Sequence, residues 1–201
     1  MFFAGTFTRG STMIEERITE KGWEEELLSS EEMQLLEEVV VREEDAAQFP
    51  QDLVLDSPEE PTAQQHENLS QMILKMSVPQ KIRLAMLGNR QARKLLIRDR
   101  NKVIATAVLR SPKLTDSEII HFTQERNTPE YIISAVCKNR TWLRTYQVKL
   151  ALVTNPKTPL PKAIQFLNHL HDKDLQALTR NKNIPSALSQ IAWQVLRKRR
   201  P

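Results

Sequence analysis

Ala151-Leu-Val-Thr-Asn155-Pro156-Lys-Thr-Pro159 holds the turn on which the chain is built. A small residue, an apolar one, two variable positions and then asparagine describe the last turn of a helix and its exit. The alanine lets that helix approach a neighbour closely, while asparagine tolerates turn conformations and caps the helix that follows. Thr158–Pro159 then puts proline where the first turn of a helix accepts it. The pattern recurs as Ala85-Met-Leu-Gly-Asn89, Ala107-Val-Leu-Arg-Ser111, Ala135-Val-Cys-Lys-Asn139 and Ala177-Leu-Thr-Arg-Asn181. Along the chain the five alanines are 22, 28, 16 and 26 residues apart, a spacing centred near 23. Self-similarity at such a period marks an array of helical units.

The helix starts are equally legible. Thr115-Asp-Ser-Glu118 has capping-box spacing, and Thr128–Pro129 and Ile184–Pro185 repeat the proline start. Pro112 and Pro156 each lead ten residues later to a phenylalanine, Phe122 and Phe166. The pattern predicts helices at 78–88, 90–98, 101–110, 115–125, 129–138, 141–154, 159–170, 172–180 and 185–199, with no alternation of the β type. Nine short helices cannot each own a core, but stacked as an α-solenoid they bury a continuous one. The expected fold is therefore all-α: a short α-solenoid of about nine helices, preceded by a mostly disordered acidic arm.

Leu152-Val-Thr-Asn155-Pro156-Lys-Thr-Pro159 resembles the core of variant leucine-rich repeats, and residues 78–199 resemble the HEAT and armadillo class of short α-helical repeats. Lys81 to Asp99 also resembles a set of uncharacterised bacterial helical-repeat proteins. What the resemblance implies is an extended binding surface and no assigned activity.

Charge divides the chain. Up to Ser70 there are 18 acidic residues against four basic ones, and from Gln71 onward seven against 25. The net charges of −14 and +18 describe an acidic tail on a basic domain. Residues 1–56 form the arm, 57–77 a linker containing Pro58 and Pro61, and 78–199 the basic repeat domain. Residues 1–12 carry no periodicity, so Met13 is a second candidate for the initiator. Within the arm, Ser29 and Glu32 have capping-box spacing, and Leu35, Leu36, Val39 and Val40 follow at helical spacing. A partner-docking helix over about 30–48 is expected there, although Glu43, Glu44 and Asp45 suit a helix C-terminus badly.

Several function classes have no support. There is no nucleophile motif, Walker loop, dinucleotide fingerprint or paired-carboxylate arrangement, so no enzyme, catalytic residue or cofactor is expected. The single cysteine, Cys137, precludes an internal disulfide and suits the cytoplasm. His169 and His171 are two apart and point to different sides of a helix, so no metal site is expected. No apolar run reaches the length of a membrane span.

What remains is basic surface. Arg90, Arg93, Lys94 and Arg98 fall on one helical face, with Ala92, Leu95 and Leu96 opposite, and Arg100 and Lys102 extend the cluster. A row of this kind neutralises successive anionic groups, as a nucleic-acid groove requires, and a solvated outer face has the same composition. Trp142 and Tyr146 near Arg140 and Arg144 could stack bases, but their spacing of four equally describes a core stripe. The C-terminal Arg197-Lys-Arg-Arg200 could touch phosphate or complement a helix dipole. The expected function is a non-enzymatic interaction scaffold whose basic face takes an acidic protein or peptide and whose arm tunes access. The alternative is a sequence-tolerant nucleic-acid binder.

Overall fold

The computed structural model describes residues 23–24, 27–39, 41–57 and 62–199. Among them there are thirteen α-helices, one 3-10 turn and no strand. The helices are α1 (Ser30–Glu38), α2 (Gln51–Val54), α3 (Ala63–Leu74), α4 (Val78–Leu87), α5 (Arg90–Leu96), α6 (Lys102–Arg110) and α7 (Asp116–Gln124). They continue as α8 (Glu130–Lys138), α9 (Arg140–Leu143), α10 (Tyr146–Thr154), α11 (Leu160–Leu167), α12 (Asp172–Thr179) and α13 (Ser186–Arg199). No helix among the described residues is long and apolar enough to cross a membrane.

The alanine-to-asparagine turns act as expected locally and add lateral contacts. Each asparagine side chain accepts from backbone N–H groups just downstream: Asn89 from Ala92, Asn139 from Thr141 and Trp142, and Asn155 from Lys157. Three of the turn residues also donate backwards to a carbonyl of an earlier helix end. Ser111 Oγ reaches the Met86 carbonyl at 3.1 Å, and Asn155 Nδ2 the Thr123 carbonyl at 2.6 Å. Asn89 Nδ2 reaches the Asp52 and Leu55 carbonyls at 2.8 and 2.7 Å. The Thr–Pro starts are likewise equivalent. Thr128 Oγ1 donates to the Phe122 carbonyl and Thr158 Oγ1 to the Leu152 carbonyl, each six residues back, at 2.7 and 2.6 Å. These bonds satisfy helix C-terminal carbonyls that have no partner within their own helix.

The core runs through the whole set of helices. Four of the five alanines at the recurring turn are buried as their size suggests, Ala85, Ala107, Ala135 and Ala151, whereas Ala177 is exposed. The helix α4 packs on α6, α7 on α10, and α11 and α12 on α13, while α5 touches α4, α6 and α7.

Three sequence expectations change. The helix expected at 141–154 breaks into α9 and α10. Thr145 is extended at the break, and its hydroxyl donates to Asp116 on α7 at 3.0 Å, so a bond to another helix replaces continuation. The region 78–199 thus holds ten helices rather than about nine. The expected linker at 57–77 contains the twelve-residue α3, opened by a Thr62–Gln65 capping box and held by buried Leu69 and Ile73.

The third change concerns the arm, expected to be mostly disordered. The Ser29–Glu32 capping box forms, but the helix ends at Glu38 rather than running to about 48. Glu43–Gln48 instead becomes a separate 3-10 turn in which Asp45 accepts the Arg42 N–H. The acidic run therefore sits at the start of a helical turn, where the dipole favours it, and not at the end of a long helix. Trp23, Leu28, Leu36, Phe49 and Leu53 are buried in the same core as the basic helices. Residues 1–12, with Met13, lie outside the described residues.

Gly88 shows how tightly the arm is seated. A Cβ there would lie 2.4 Å from the Leu84 carbonyl oxygen, 2.9 Å from Ala92 Cβ and 3.2 Å from the Leu53 carbonyl oxygen. The missing side chain lets the backbone of α2 close onto the turn, where the Asn89 N–H donates to the Leu53 carbonyl at 2.8 Å.

Candidate basic interface and the docked arm

The six basic residues singled out from the sequence do not form one row. Arg93 is buried: its Nε and Nη2 donate to the two carboxylate oxygens of Glu118 at 2.7 and 3.0 Å, and Nη1 donates to the Gly88 carbonyl at 2.7 Å. Glu118 also accepts from the N–H and hydroxyl of Thr115, so the ion pair and the capping box of α7 are one network. At about 100° per residue, Arg93 lies about 60° from Arg90, on the side of Leu96 rather than Lys94. That offset carries it into the seam between α5 and α7. Arg93 is structural, and its placement in a solvent-facing row is corrected.

Arg90, Lys94 and Arg98 keep the i, i+4, i+8 relation and span about 12 Å at helical rise. The helix ends at Leu96, so Arg98 projects from just beyond it. Across the seam α7 contributes His121 and Glu125 to the same ridge. Glu125 pairs with Arg98 and lies 3.2 Å from His121 Nε2. Burial lowers the His121 pKa, Glu125 opposes this, and the cationic fields of Lys94, Arg90 and Arg98 lower it further. The imidazole is therefore held towards its neutral form beside the row.

Lys102 belongs to a different group. Lys102 Nζ lies 5.9 Å from the centroid of the Tyr131 ring, and nearby Lys81 pairs with Asp99 at 2.9 Å. The Tyr131 hydroxyl approaches the Asp99 carbonyl, and burial with the Asp99 charge pushes its pKa up to about 12. Among the described residues the Arg90 guanidinium, Lys94 and Arg100 have no carboxylate within ion-pair reach.

The aromatic candidates are packed. Trp142 is 1% exposed, with its ring 6.2 Å from Trp23, and so is not presented to a base. Half-buried Tyr146 bonds Asp174 through its hydroxyl and stacks on His171 at 4.3 Å. At the C-terminus Arg199 donates to the Leu170 and Asn168 carbonyls and pairs with Asp172. Arg197 lies 5.4 Å from the ring of Trp193, which is half exposed. Arg200 is outside the described residues.

The contact set that composition did not reveal is made by the arm. Glu24, buried, takes a bidentate pair from Arg110 on α6, and Arg110 Nη2 also lies 3.9 Å from the Met33 sulfur. Asp45 stands 3.8 Å from Arg83 on α4. Asp56 accepts from the backbone N–H of Arg90 at 3.2 Å. The arm thus meets the guanidinium groups of Arg83 and Arg110, neither of which belongs to the predicted row, and touches the row itself only at the Arg90 backbone. The signal that could have found these contacts is Trp23, an aromatic residue stranded in an otherwise charged stretch.

A cleft of about 930 Å³ separates α3 from the starts of α5 and α7, with Arg93 and Glu118 in its wall and Arg90, Leu55 and Met72 around it. Among the described residues no group of three or more His, Cys, Asp or Glu side chains is placed to hold a metal ion. The chain matches no protein-family model, no curated protein and no solved structure.

Proposed function

We propose that the chain is a non-enzymatic, HEAT-like helical-repeat scaffold, a short solenoid whose basic surface takes an acidic protein or peptide under the control of the acidic arm. The observation that carries this reading is that the basic helices already hold an acidic segment, with Glu24 on Arg110 and Asp45 on Arg83. Further support comes from Arg90, Lys94 and Arg100, cations that pair with no carboxylate among the described residues. Short helical units stacked side by side characteristically present extended binding surfaces.

A second reading, sequence-tolerant nucleic-acid binding, is favoured by the Arg90–Lys94–Arg98 row alone. The two separate in a titration of the full chain with labelled polyglutamate and with oligothymidine between about 50 and 200 mM salt. The scaffold reading expects polyglutamate to bind and the Arg90→Glu/Lys94→Glu variant to bind it more weakly. Tight oligothymidine binding with none of polyglutamate overturns it in favour of nucleic acid, and binding of neither overturns both.

A further inference from the structure

The arm's route is ordered. Trp23 meets Trp142 on α9, Glu24 meets Arg110 on α6, α1 packs on α6, the 3-10 turn packs on α4, and α2 packs on α4 and α5. The arm therefore runs antiparallel to the order of the helices it covers. Its buried side carries Trp23, Glu24, Leu28 and Leu36, while Glu31, Gln34, Glu37 and Glu38 face solvent. An acidic amphipathic helix laid on a groove, anchored by an aromatic residue and a carboxylate, is a recurring way for one protein to hold another. Here it is satisfied in cis.

Among the described residues, the buried indole N–H groups of Trp23 and Trp142 find no acceptor. A buried donor without a partner costs about 1–3 kcal/mol. A segment that carried a carbonyl or carboxylate to this spot would satisfy donors for which the described residues offer no acceptor. Arg110 adds selectivity, because the planar guanidinium matches a carboxylate through two parallel bonds as a lysine cannot.

We propose that the face of α6 and α9 beneath Trp23 and Glu24 is the docking site for an acidic amphipathic helix of a partner protein, an aromatic residue followed by a carboxylate leading it, and that residues 23–39 are its tethered stand-in. The proposal rests on the reading of the chain as a binder of acidic polypeptide, and it names the surface. Tethering gives the arm an effective concentration of about millimolar, so a free helix competes poorly until the arm is loosened. The apparent affinity is scaled by the fraction of molecules whose face is open.

The test uses the full chain and a fluorescent peptide with the sequence of residues 23–39, followed by anisotropy. Trp23→Ala loosens the arm without altering the face, and is expected to raise peptide affinity at least about tenfold over the unaltered chain. Adding Arg110→Ala to Trp23→Ala is expected to abolish binding. Adding Arg110→Lys keeps the charge, loses the bidentate geometry, and is expected to remove most of the gain. Helical circular dichroism confirms that each variant is folded, and Arg110→Lys supplies the comparison if Arg110→Ala is not. Equal affinity for the unaltered chain and Trp23→Ala overturns the proposal. Binding that ignores Arg110 but is lost when Arg90→Glu/Lys94→Glu is added to Trp23→Ala also overturns it, while leaving the acidic-partner reading standing. No binding by any variant overturns both.

Discussion

Replacing Arg93 by alanine separates a buried structural arginine from an exposed ligand contact. The substitution leaves Glu118, 2% exposed, without the guanidinium that meets both of its oxygens. Breaking a buried pair from one side costs about 3–5 kcal/mol, because an uncompensated charge remains in the interior. The N–H and hydroxyl of Thr115 still reach Glu118, which sets the expectation at the lower end of that range. For a chain of this size each kcal/mol moves the melting temperature by about 2–4 °C, so Arg93→Ala should melt at least about 6 °C lower. Exposed Arg90→Ala should stay within about 0.5 kcal/mol of the unaltered protein. The double variant Arg93→Met/Glu118→Met should recover most of the loss, since apolar groups of similar volume carry no desolvation penalty. Thermal melts followed by circular dichroism decide the matter. An Arg93→Ala melt within 2 °C of the unaltered protein (about 1 kcal/mol) would refute the buried pair and return Arg93 to the surface row.

Other perturbations have equally definite outcomes. Gly88→Ala brings a Cβ against backbone on two sides and should cost about 1–3 kcal/mol in urea unfolding, with faster chymotryptic cleavage at Phe49 as α2 is pushed off its turn. An unchanged midpoint and cleavage rate would show that the arm does not seat there. Cys137, whose thiol is pushed up to about 12 by burial, should resist alkylation at about pH 8 in the native protein and react at once in denaturant. Native labelling as fast as denatured labelling contradicts that. The His121 pKa is lowered in the folded state, so below its ordinary value of 6.5 the unfolded chain takes up the proton first and stability falls with acidification. Above that value the imidazole is neutral in both states and the penalty vanishes. His121→Gln should therefore show a smaller loss of melting temperature between pH 7 and 5 (a window bracketing the ordinary histidine range), and an identical loss would remove His121 from the account.

How far the sequence could be read depended on the range of each interaction. Helices α4 to α8 and α10 to α13 lie within the spans expected from capping residues, Thr–Pro starts and Asn exits, because these signals are made by residues a few positions apart. The Ser29–Glu32 and Thr62–Gln65 boxes are of the same local kind. The first was legible, and the second was masked by the polar composition around Pro58 and Pro61. Face assignment was less secure. A helical wheel puts Arg93 near Arg90, but whether a flanking position points to solvent or into a seam depends on what Glu118 brings from 25 residues away.

The recurring alanine-to-asparagine turn, a local pattern, set the helical character of the described residues and approximately where the basic helices begin and end, while residue counts alone divided the charge into two halves. Only the folded chain ties Asn89 and Asn155 to the ends of helices that are not their neighbours in sequence, places Arg93 inside, and seats the acidic arm in the core of the basic helices. The reason is physical. Capping and periodicity arise from residues within one turn of each other, whereas Asn155 to Thr123, Arg93 to Glu118 and Glu24 to Arg110 join residues 32, 25 and 86 positions apart. Partners at such separations exist only once the chain has folded.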